Sequence, residues 1–485
     1  MKKTLKLLLL ATVLGLSAGC EKDDNQVPQN IEVQNFVWKG LNLYYLWQSD
    51  VPALSDYRFS DQQDLNAYLY GYQDPGELFQ SLLYKPASRF PASQAVDRFS
   101  VMYSNYNDLE GVLSGTTRNN GVDLALYYKD DSEYDIIGVV RYILPNSDAS
   151  GKDIARGDFV YAINGQSLNV DNYIALLSQN TYTAHLANYD GGDFTPNGRL
   201  VPLTKTVLSE NPVYSIEVVD RGAHKIGYLM YNGFYPNYEP QLNDAFGQLK
   251  SQGVTDLVLD LRYNGGGSIA TASRLAGMIT GQFYGQVFGK EQWNAKVEAY
   301  YRENSPGTLV NLFPNRLENN VPINSLNLNR VYVLTTRATA SASELVINGL
   351  EPYIDVVQIG DRTIGKNVGS ITLYDSPSFS KAGANPNHRY AMQPLVLKII
   401  NKAGFGDYTG GLQPDELLQE DLGNLGVLGQ PTEPLFDAAI SHILGGGRPA
   451  AHRAKTHRAV QRQQLLGELK NEMYRDVPAG LSNIR

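Results

Sequence analysis

The chain has 485 residues, with 41 Lys+Arg against 50 Asp+Glu and a formal net charge of −9. At about 150 residues per domain this predicts roughly three domains, and a 42% hydrophobic, 19% charged composition excludes a disordered acidic chain. The negative balance argues against nucleic acid as the main partner, a single Cys excludes an intrachain disulfide or a multi-Cys zinc site, and the six His include no His-Glu-x-x-His. Oligomeric state is not readable.

Lys2 and Lys3 precede an apolar run, Leu5 to Leu16, broken only by Lys6. It is too short for a span of about 20 residues. With Leu16-Ser17-Ala18-Gly19-Cys20 it has the charged, apolar and small-residue parts of a signal peptide. The segment resembles a bacterial lipobox, which implies a removed leader at residues 1–19, lipid attachment at Cys20 and a membrane-anchored lipoprotein. An ordinary signal peptide with a chance Cys is the plainer alternative. Glu21-Lys22-Asp23-Asp24-Asn25 reads as a solvated tether within residues 20–30, and it also resembles the acidic export signal of surface lipoproteins. The expected location is the cell envelope, as an outer membrane lipoprotein on the periplasmic or the surface side.

Apolar residues recur at helical spacing from Ile31 to Trp47, and two shorter helices are predicted over Asp61 to Tyr70 and Pro75 to Tyr84. Residues 31–90 thus read as a small helical domain. From about residue 98 the texture changes to strands and turns. Gly121 to Leu126 and Ile136 to Leu144 are predicted strands, and Asn172 to Gln179 a helix. The tract from Val139 to Gly165, ending Arg156-Gly157-Asp158-Phe159-Val160-Tyr161-Ala162-Ile163-Asn164-Gly165, resembles a PDZ domain, expected over residues 98–180. PDZ domains add a peptide as an extra strand and hold its carboxylate on loop amides. By that resemblance the peptide-binding residues are Gly121, Val122, Asp123 and Leu124, with Asp123 in place of the usual apolar residue. A spacer or lid role for this domain is the alternative. Residues 181–223 read as a connector hairpin, residues 224–445 as the last domain, and residues 446–485 as a peripheral basic tail with a helical stretch over Ala450 to Tyr474.

Three segments of the last domain carry chemistry. Asp256 to Leu261 is a buried-strand run followed by Arg262-Tyr263-Asn264-Gly265-Gly266-Gly267 and a predicted helix from Ile269. Such a glycine loop suits a phosphate, an oxyanion or a plain tight turn. Arg330 to Leu334 leads to Ala340-Ser341-Ala342-Ser343-Glu344 at a helix start, where Ser341 is either a nucleophile favoured by the helix dipole or a cap in a box with Glu344. Asp355 to Ile359 leads to Gly360-Asp361-Arg362-Thr363-Ile364-Gly365-Lys366-Asn367. This has the glycine spacing of a P-loop, but Asn367 stands where magnesium needs a hydroxyl, and a strand rather than a helix is predicted next.

Together the segments supply a nucleophile, a base and oxyanion donors. A serine needs a base, and a Lys buried among glycines and apolar strands loses its charge more readily. Lys366 is then the candidate base for Ser341, with the N–H groups near Gly266 and of Ala342 as candidate oxyanion hole. The combination resembles the C-terminal processing peptidases, or tail-specific proteases. The carrying motifs are Ser341-Ala342-Ser343-Glu344, Lys366 in Gly-x-x-x-x-Gly-Lys 25 residues later, Asp260-Leu261-Arg262-Tyr263-Asn264, and Gly411-Leu412-Gln413-Pro414-Asp415. The resemblance implies an α/β multi-domain fold with a helical N-terminal domain, a PDZ-like β domain and a crotonase-like mixed β/α catalytic core. It implies a serine endopeptidase acting on peptide or protein substrates through a Ser/Lys dyad, with no metal or organic cofactor. Ser370 stands where many relatives carry a Gln or Glu that orients the Lys, and Gly265 replaces a common proline. The alternative function is a non-catalytic peptide- or ligand-binding surface lipoprotein on the same scaffold.

Overall fold

The first apolar stripe folds into helix α1 (Glu32–Tyr44), with Phe36, Val37, Leu41 and Tyr44 buried. Helix α2 (Gln62–Leu69) begins at Asp61, whose carboxylate accepts from the Asp64 N–H. Helix α3 (Pro75–Ser81) begins at Asp74, with Pro75 in the first turn where its missing N–H is harmless. The computed structural model describes residues 26–129, 132–446, 458–460 and 472–477. The predicted leader, Cys20 and the acidic run after it lie outside the described residues. The three helices do not close a separate core. Their apolar faces join one cluster with Leu259, Ile269, Phe288, Leu345 and Leu397. Gly40 permits the approach, since a Cβ there would lie 2.6 Å from Met392 Cε.

An antiparallel sheet follows: β1 (Val122–Tyr128), β2 (Ile136–Ile143), β3 (Phe159–Ile163), then helix α4 (Tyr173–Ser178), β4 (Thr181–Tyr189) and β5 (Phe194–Thr204). The strands lie side by side in chain order, so β1 is an edge. This unit, the one expected to be PDZ-like and so called below, has its own core, including Leu126, Ile136, Val140, Val160, Leu176 and Leu186. The expected connector at 181–223 is corrected here. Phe159 pairs with Ala187 across β3 and β4, so the hairpin is part of the sheet. Its polar, aromatic composition hides a period-two burial in which Tyr182, Ala184 and Leu186 point inward.

The remaining chain supplies, in order, β6 (Val213–Arg221), β7 (His224–Tyr231), β8 (Asp256–Asp260), β9 (Gly267–Ser268), helix α5 (Ile269–Thr280), β10 (Val287–Trp293), β11 (Val310–Leu312), β12 (Arg330–Thr335), helix α6 (Ala342–Leu350), β13 (Asp355–Gly360), β14 (Val368–Ser370), β15 (Leu395–Ile400), β16 (Glu416–Leu417), helix α7 (Pro434–Ile443) and β17 (Met473–Tyr474). One six-stranded sheet has the order β6-β7-β8-β12-β13-β16, and a second has β9-β17-β14-β15-β10-β11. Strands β8, β12 and β13 are parallel, and Asp260 lies opposite Leu334 while Thr335 lies opposite Gly360. Their carboxyl ends are therefore level, and the three chemistry-bearing loops leave from one edge. Ligand sites of parallel sheets form there.

Where it is described, at residues 458–460 and 472–477, the C-terminal segment differs from its expected helix; the rest of that stretch lies outside the described residues. Met473 and Tyr474 are a strand, and Ala459 bridges Tyr127 at the edge of β1. Burial decides this: Met473 is 0% and Val460 9% exposed, each within an apolar cluster of the domain it touches.

Arg262, 0% exposed, fixes the loop after β8. Its Nε donates to Asp260, its two Nη groups to Glu433 at 2.6 and 2.8 Å, and one of them also to Glu420. Arg156 of the PDZ-like unit donates to the same Glu420 oxygen at 2.9 Å and to the Tyr263 hydroxyl. Burial would raise the Glu420 pKa, but Arg156 and Arg262 hold it down at about 2. Removing one member of such a buried set leaves an uncompensated charge, at a loss of about 3–5 kcal/mol. Glu433→Ala, which also removes the α7 cap at the Phe436 N–H, is expected to lower the unfolding free energy measured by urea titration by that order.

Candidate active site

The loop after β8 is shaped by Asn264. Its Nδ2 donates to the Tyr231 carbonyl, and its Oδ1 accepts the Gly266 N–H at 2.8 Å. Gly266 and Gly267 have φ of +114° and +140°, where L side chains are strained. A Cβ on Gly266 would lie 2.3 Å from the Glu472 carbonyl oxygen, 2.7 Å from Ser341 Cβ and 2.9 Å from Ala342 N. Three elements therefore converge on one point that only glycine leaves open. The Gly266 N–H, expected as an oxyanion donor, is taken by Asn264. The Gly267 N–H is not held within the loop and donates to the Glu472 carbonyl.

Ser341 precedes α6 with φ +66° and ψ −116°, an unfavourable backbone for a residue bearing a Cβ. It is fully buried, and its hydroxyl has no hydrogen-bond partner among the described residues. The neighbouring Ser343 is different: its hydroxyl donates to the Asn264 carbonyl at 3.0 Å. The two candidate serines are thus separated: Ser343 is committed to the glycine loop, while Ser341 sits in the expected capping box with Glu344 at the start of α6, its hydroxyl making no close hydrogen bond.

Glu344 joins the loops. One carboxylate oxygen accepts the Ser341 N–H at 2.7 Å and the Lys366 N–H at 2.8 Å. The other accepts the Gly365 N–H at 2.7 Å and the Thr363 hydroxyl at 2.5 Å. Burial pushes the Glu344 carboxyl above its usual range, against these four donors. Sequence reasoning saw Glu344 only as the partner of a helix cap. Its hold on Lys366 has no local signal, since the contact crosses 22 residues.

Lys366 is fully buried, and burial lowers the pKa of its amine from 10.5, opposed by Glu472, Asp97 and Glu344. Its Nζ lies 3.3 Å from Glu472 Oε2 and 4.9 Å from the Phe99 ring centre. Burial also pushes the Glu472 carboxyl up, with Lys366 and Ser370 acting against it. Ser370, expected to orient Lys366, donates instead to Glu472 Oε2 and to the Met473 carbonyl, each at 3.2 Å. It therefore meets Lys366 through Glu472, a residue that the sequence offered no reason to place here. After Lys366 the chain enters β14, so the P-loop alternative lacks its helix.

The expected peptide-binding loop is not brought to this site. The Gly121 and Val122 N–H groups donate to the Asn119 and Asn120 side chains, at 2.9 and 3.1 Å. Asp123 pairs with Arg141, and Leu124 packs on the PDZ-like core. An incoming carboxylate would find those two amides engaged and an acidic side chain beside them.

Peptidase family S41 matches residues 225–377, and the peptidase S41 N-terminal domain matches residues 32–101. The first span includes the glycine loop, Ser341 and Lys366, and the second includes α1 to α3. The carboxyl-terminal-processing protease of Picosynechococcus sp. is 24% identical over 409 residues, covering 79% of this chain and 89% of that relative. The protein of the same name from Synechocystis sp. is 24% identical over 318 residues, covering 64% of this chain and 66% of its own length. Among solved structures, a putative S41 protease from Bacteroides fragilis superposes with a TM-score of 0.64 at 26% identity, covering 84% of this chain and 97% of that one.

Glutamine at position 344 would keep the shape but offer one acceptor in place of two, so either the Ser341 and Lys366 amides or the Gly365 and Thr363 donors lose their partner. An unmet buried donor costs about 1–3 kcal/mol. Glu344→Gln is expected to slow labelling of Ser341 by a fluorophosphonate at least tenfold while circular dichroism stays unchanged.

Proposed function

We propose that this chain, which belongs to peptidase family S41, is a serine endopeptidase in which Ser341 is the nucleophile and Lys366 the general base. The observation that carries the reading is the shared Glu344 oxygen, which ties the backbones of a buried, uncommitted serine and a buried lysine to one atom. Desolvation favours the neutral amine. Neutral Lys366 takes the Ser341 proton as Oγ attacks the scissile carbonyl. The oxyanion of the tetrahedral intermediate is met by the Gly267 and Ala342 N–H groups, each contributing roughly 3 kcal/mol of transition-state stabilisation. The resulting ammonium gives its proton to the leaving amine. Water then attacks the acyl-serine, with Lys366 again accepting the proton and returning it to Oγ.

The substrate is a protein or peptide taken up as an extended strand, and the PDZ-like unit engages it by backbone pairing along the edge of β1, in the place that residues 458–460 take here. The proposed lipid anchor at Cys20 holds the enzyme in the cell envelope, so that envelope or extracellular proteins are its substrates.

Incubation with a fluorogenic peptide library tests the dyad. Ser341→Ala and Lys366→Ala are each expected to remove turnover. In the parent chain kcat/KM is expected to rise with pH, along a limb below the ordinary lysine range of about 10.4, because only the deprotonated amine accepts the serine proton. A flat profile with activity retained in Lys366→Ala would refute the base assignment. For the anchor, Cys20→Ala is expected to move the protein from the membrane fraction to the soluble fraction of the envelope.

A further inference from the structure

Two short pieces of the C-terminal segment lie where a substrate peptide would lie. Arg458 to Val460 add to the edge of β1. The Tyr128 N–H donates to the Arg458 carbonyl and the Val460 N–H to the Leu126 carbonyl, both at 2.9 Å. Val460 enters the apolar cluster that contains Leu126, Tyr173, Leu176 and Leu177. This is strand addition to the PDZ-like sheet, made by the chain itself. Fourteen positions after Arg458, Glu472 enters the catalytic cleft. Its carbonyl accepts from the Gly267 N–H, its carboxylate faces Lys366, and Met473–Tyr474 fill the gap between β9 and β14 as a parallel strand. The seat is extended by the Tyr474 hydroxyl on the Leu113 carbonyl at 2.9 Å and by Arg475 on Glu291 at 2.6 Å.

We propose that residues 458–460 and 472–477 are the two ends of a tethered pseudosubstrate, which occupy the peptide edge of the PDZ-like unit and the catalytic cleft together and hold the peptidase inactive until a substrate displaces them. The proposal rests on the Ser341/Lys366 reading of the same site. Two features of Glu472 act in the same direction. Its carbonyl takes the Gly267 N–H that the proposed mechanism gives to the oxyanion, and its carboxylate favours the ammonium form of the base. The groups facing Lys366 are Glu472, Asp97 and Glu344, with Arg98 on the Gly365 carbonyl; of these only Glu472 comes from the segment. A rival role exists for its side chain alone, as the acid that orients Lys366. The backbone decides against it: an orienting residue leaves the oxyanion donor open, and this one fills it. Tethering makes weak contacts sufficient. Tethering sets an effective concentration on the order of 1 mM at each place, which a free peptide has to match.

The test uses the full chain. Tyr127 and Ala459 are a directly opposed antiparallel pair, so Tyr127→Cys with Ala459→Cys, in a Cys20→Ser background, is expected to form a disulfide on oxidation. The oxidised chain should label at Ser341 with a fluorophosphonate at least tenfold more slowly than the reduced chain. Val460→Asp and Glu472→Gln, made separately, should each label at least tenfold faster than the parent, and the pH limb of Glu472→Gln should move to lower pH because its base loses a stabilising carboxylate. Failure of the disulfide to form, equal labelling in oxidised and reduced chains, or slower labelling in Glu472→Gln would overturn the proposal, as would cleavage after Glu472 by the chain itself. If no form labels Ser341 while the disulfide still forms, the dyad reading fails, and inhibition fails with it although the segment is seated.

Discussion

The buried carboxylate of Glu344 is the constraint on which the site depends. Ser341 and Lys366 leave different strands, and nothing in either loop alone fixes their separation. Glu344 fixes it by accepting both main-chain N–H groups on one oxygen and two further donors from residues 363 and 365 on the other. A carboxylate in an apolar interior is stable only when its lone pairs are met. The same geometry therefore stabilises the ion and positions the two proposed reacting groups. It also explains why Ser341 tolerates a positive φ. The residue is held at both sides, by its own N–H on Glu344 and by its carbonyl, which accepts the Leu345 N–H of α6.

Much of this arrangement was legible because it is local. Strand, glycine loop and helix at residues 256–279, and strand, Ser-Ala-Ser-Glu and helix at residues 330–350, follow from apolar runs and turn residues. Strand β13 and its Gly-Lys loop follow in the same way. What was not legible is what depends on long-range pairing. The hairpin of β4 and β5 looked like a connector because its inward residues include Tyr and Ala among many polar neighbours. The helices of residues 31–90 looked like a domain because sequence periodicity shows an apolar face but not what covers it. The N–H groups of Gly266 and Gly267 are equivalent in sequence, and only the Asn264 side chain distinguishes them. Residues 458–460 and 472–474 sit in a basic stretch with helical composition, yet Val460 and Met473 are drawn into apolar clusters of other domains. Propensity gave way to tertiary burial.

The glycine loop is held from two sides. Arg262 and Tyr263 precede it directly, and both meet Glu420, which also takes Arg156 from the PDZ-like unit. These ionic contacts are almost wholly out of solvent, so they depend on all partners being present and in register. A shift of the PDZ-like unit would have to carry Arg156 with it or leave Glu420 and Tyr263 short of a donor. The loop that presents Gly267 is thus mechanically continuous with the sheet that accepts an added strand at β1.

That continuity bears on how a segment bound at two places could be released. Each contact alone is small: two main-chain hydrogen bonds and one valine at β1, and a few residues at the cleft. Net contributions of about 1 kcal/mol per hydrogen bond give neither piece high affinity by itself. Joined in one chain, each raises the local concentration of the other, and the pair is stable while both are engaged. Loss of one end therefore weakens the other without any further change in shape. A substrate that competes only at the β1 edge, the more peripheral of the two, would remove the tether's advantage and leave Glu472 to leave the cleft unassisted, freeing the Gly267 N–H and letting the Lys366 amine approach its neutral state.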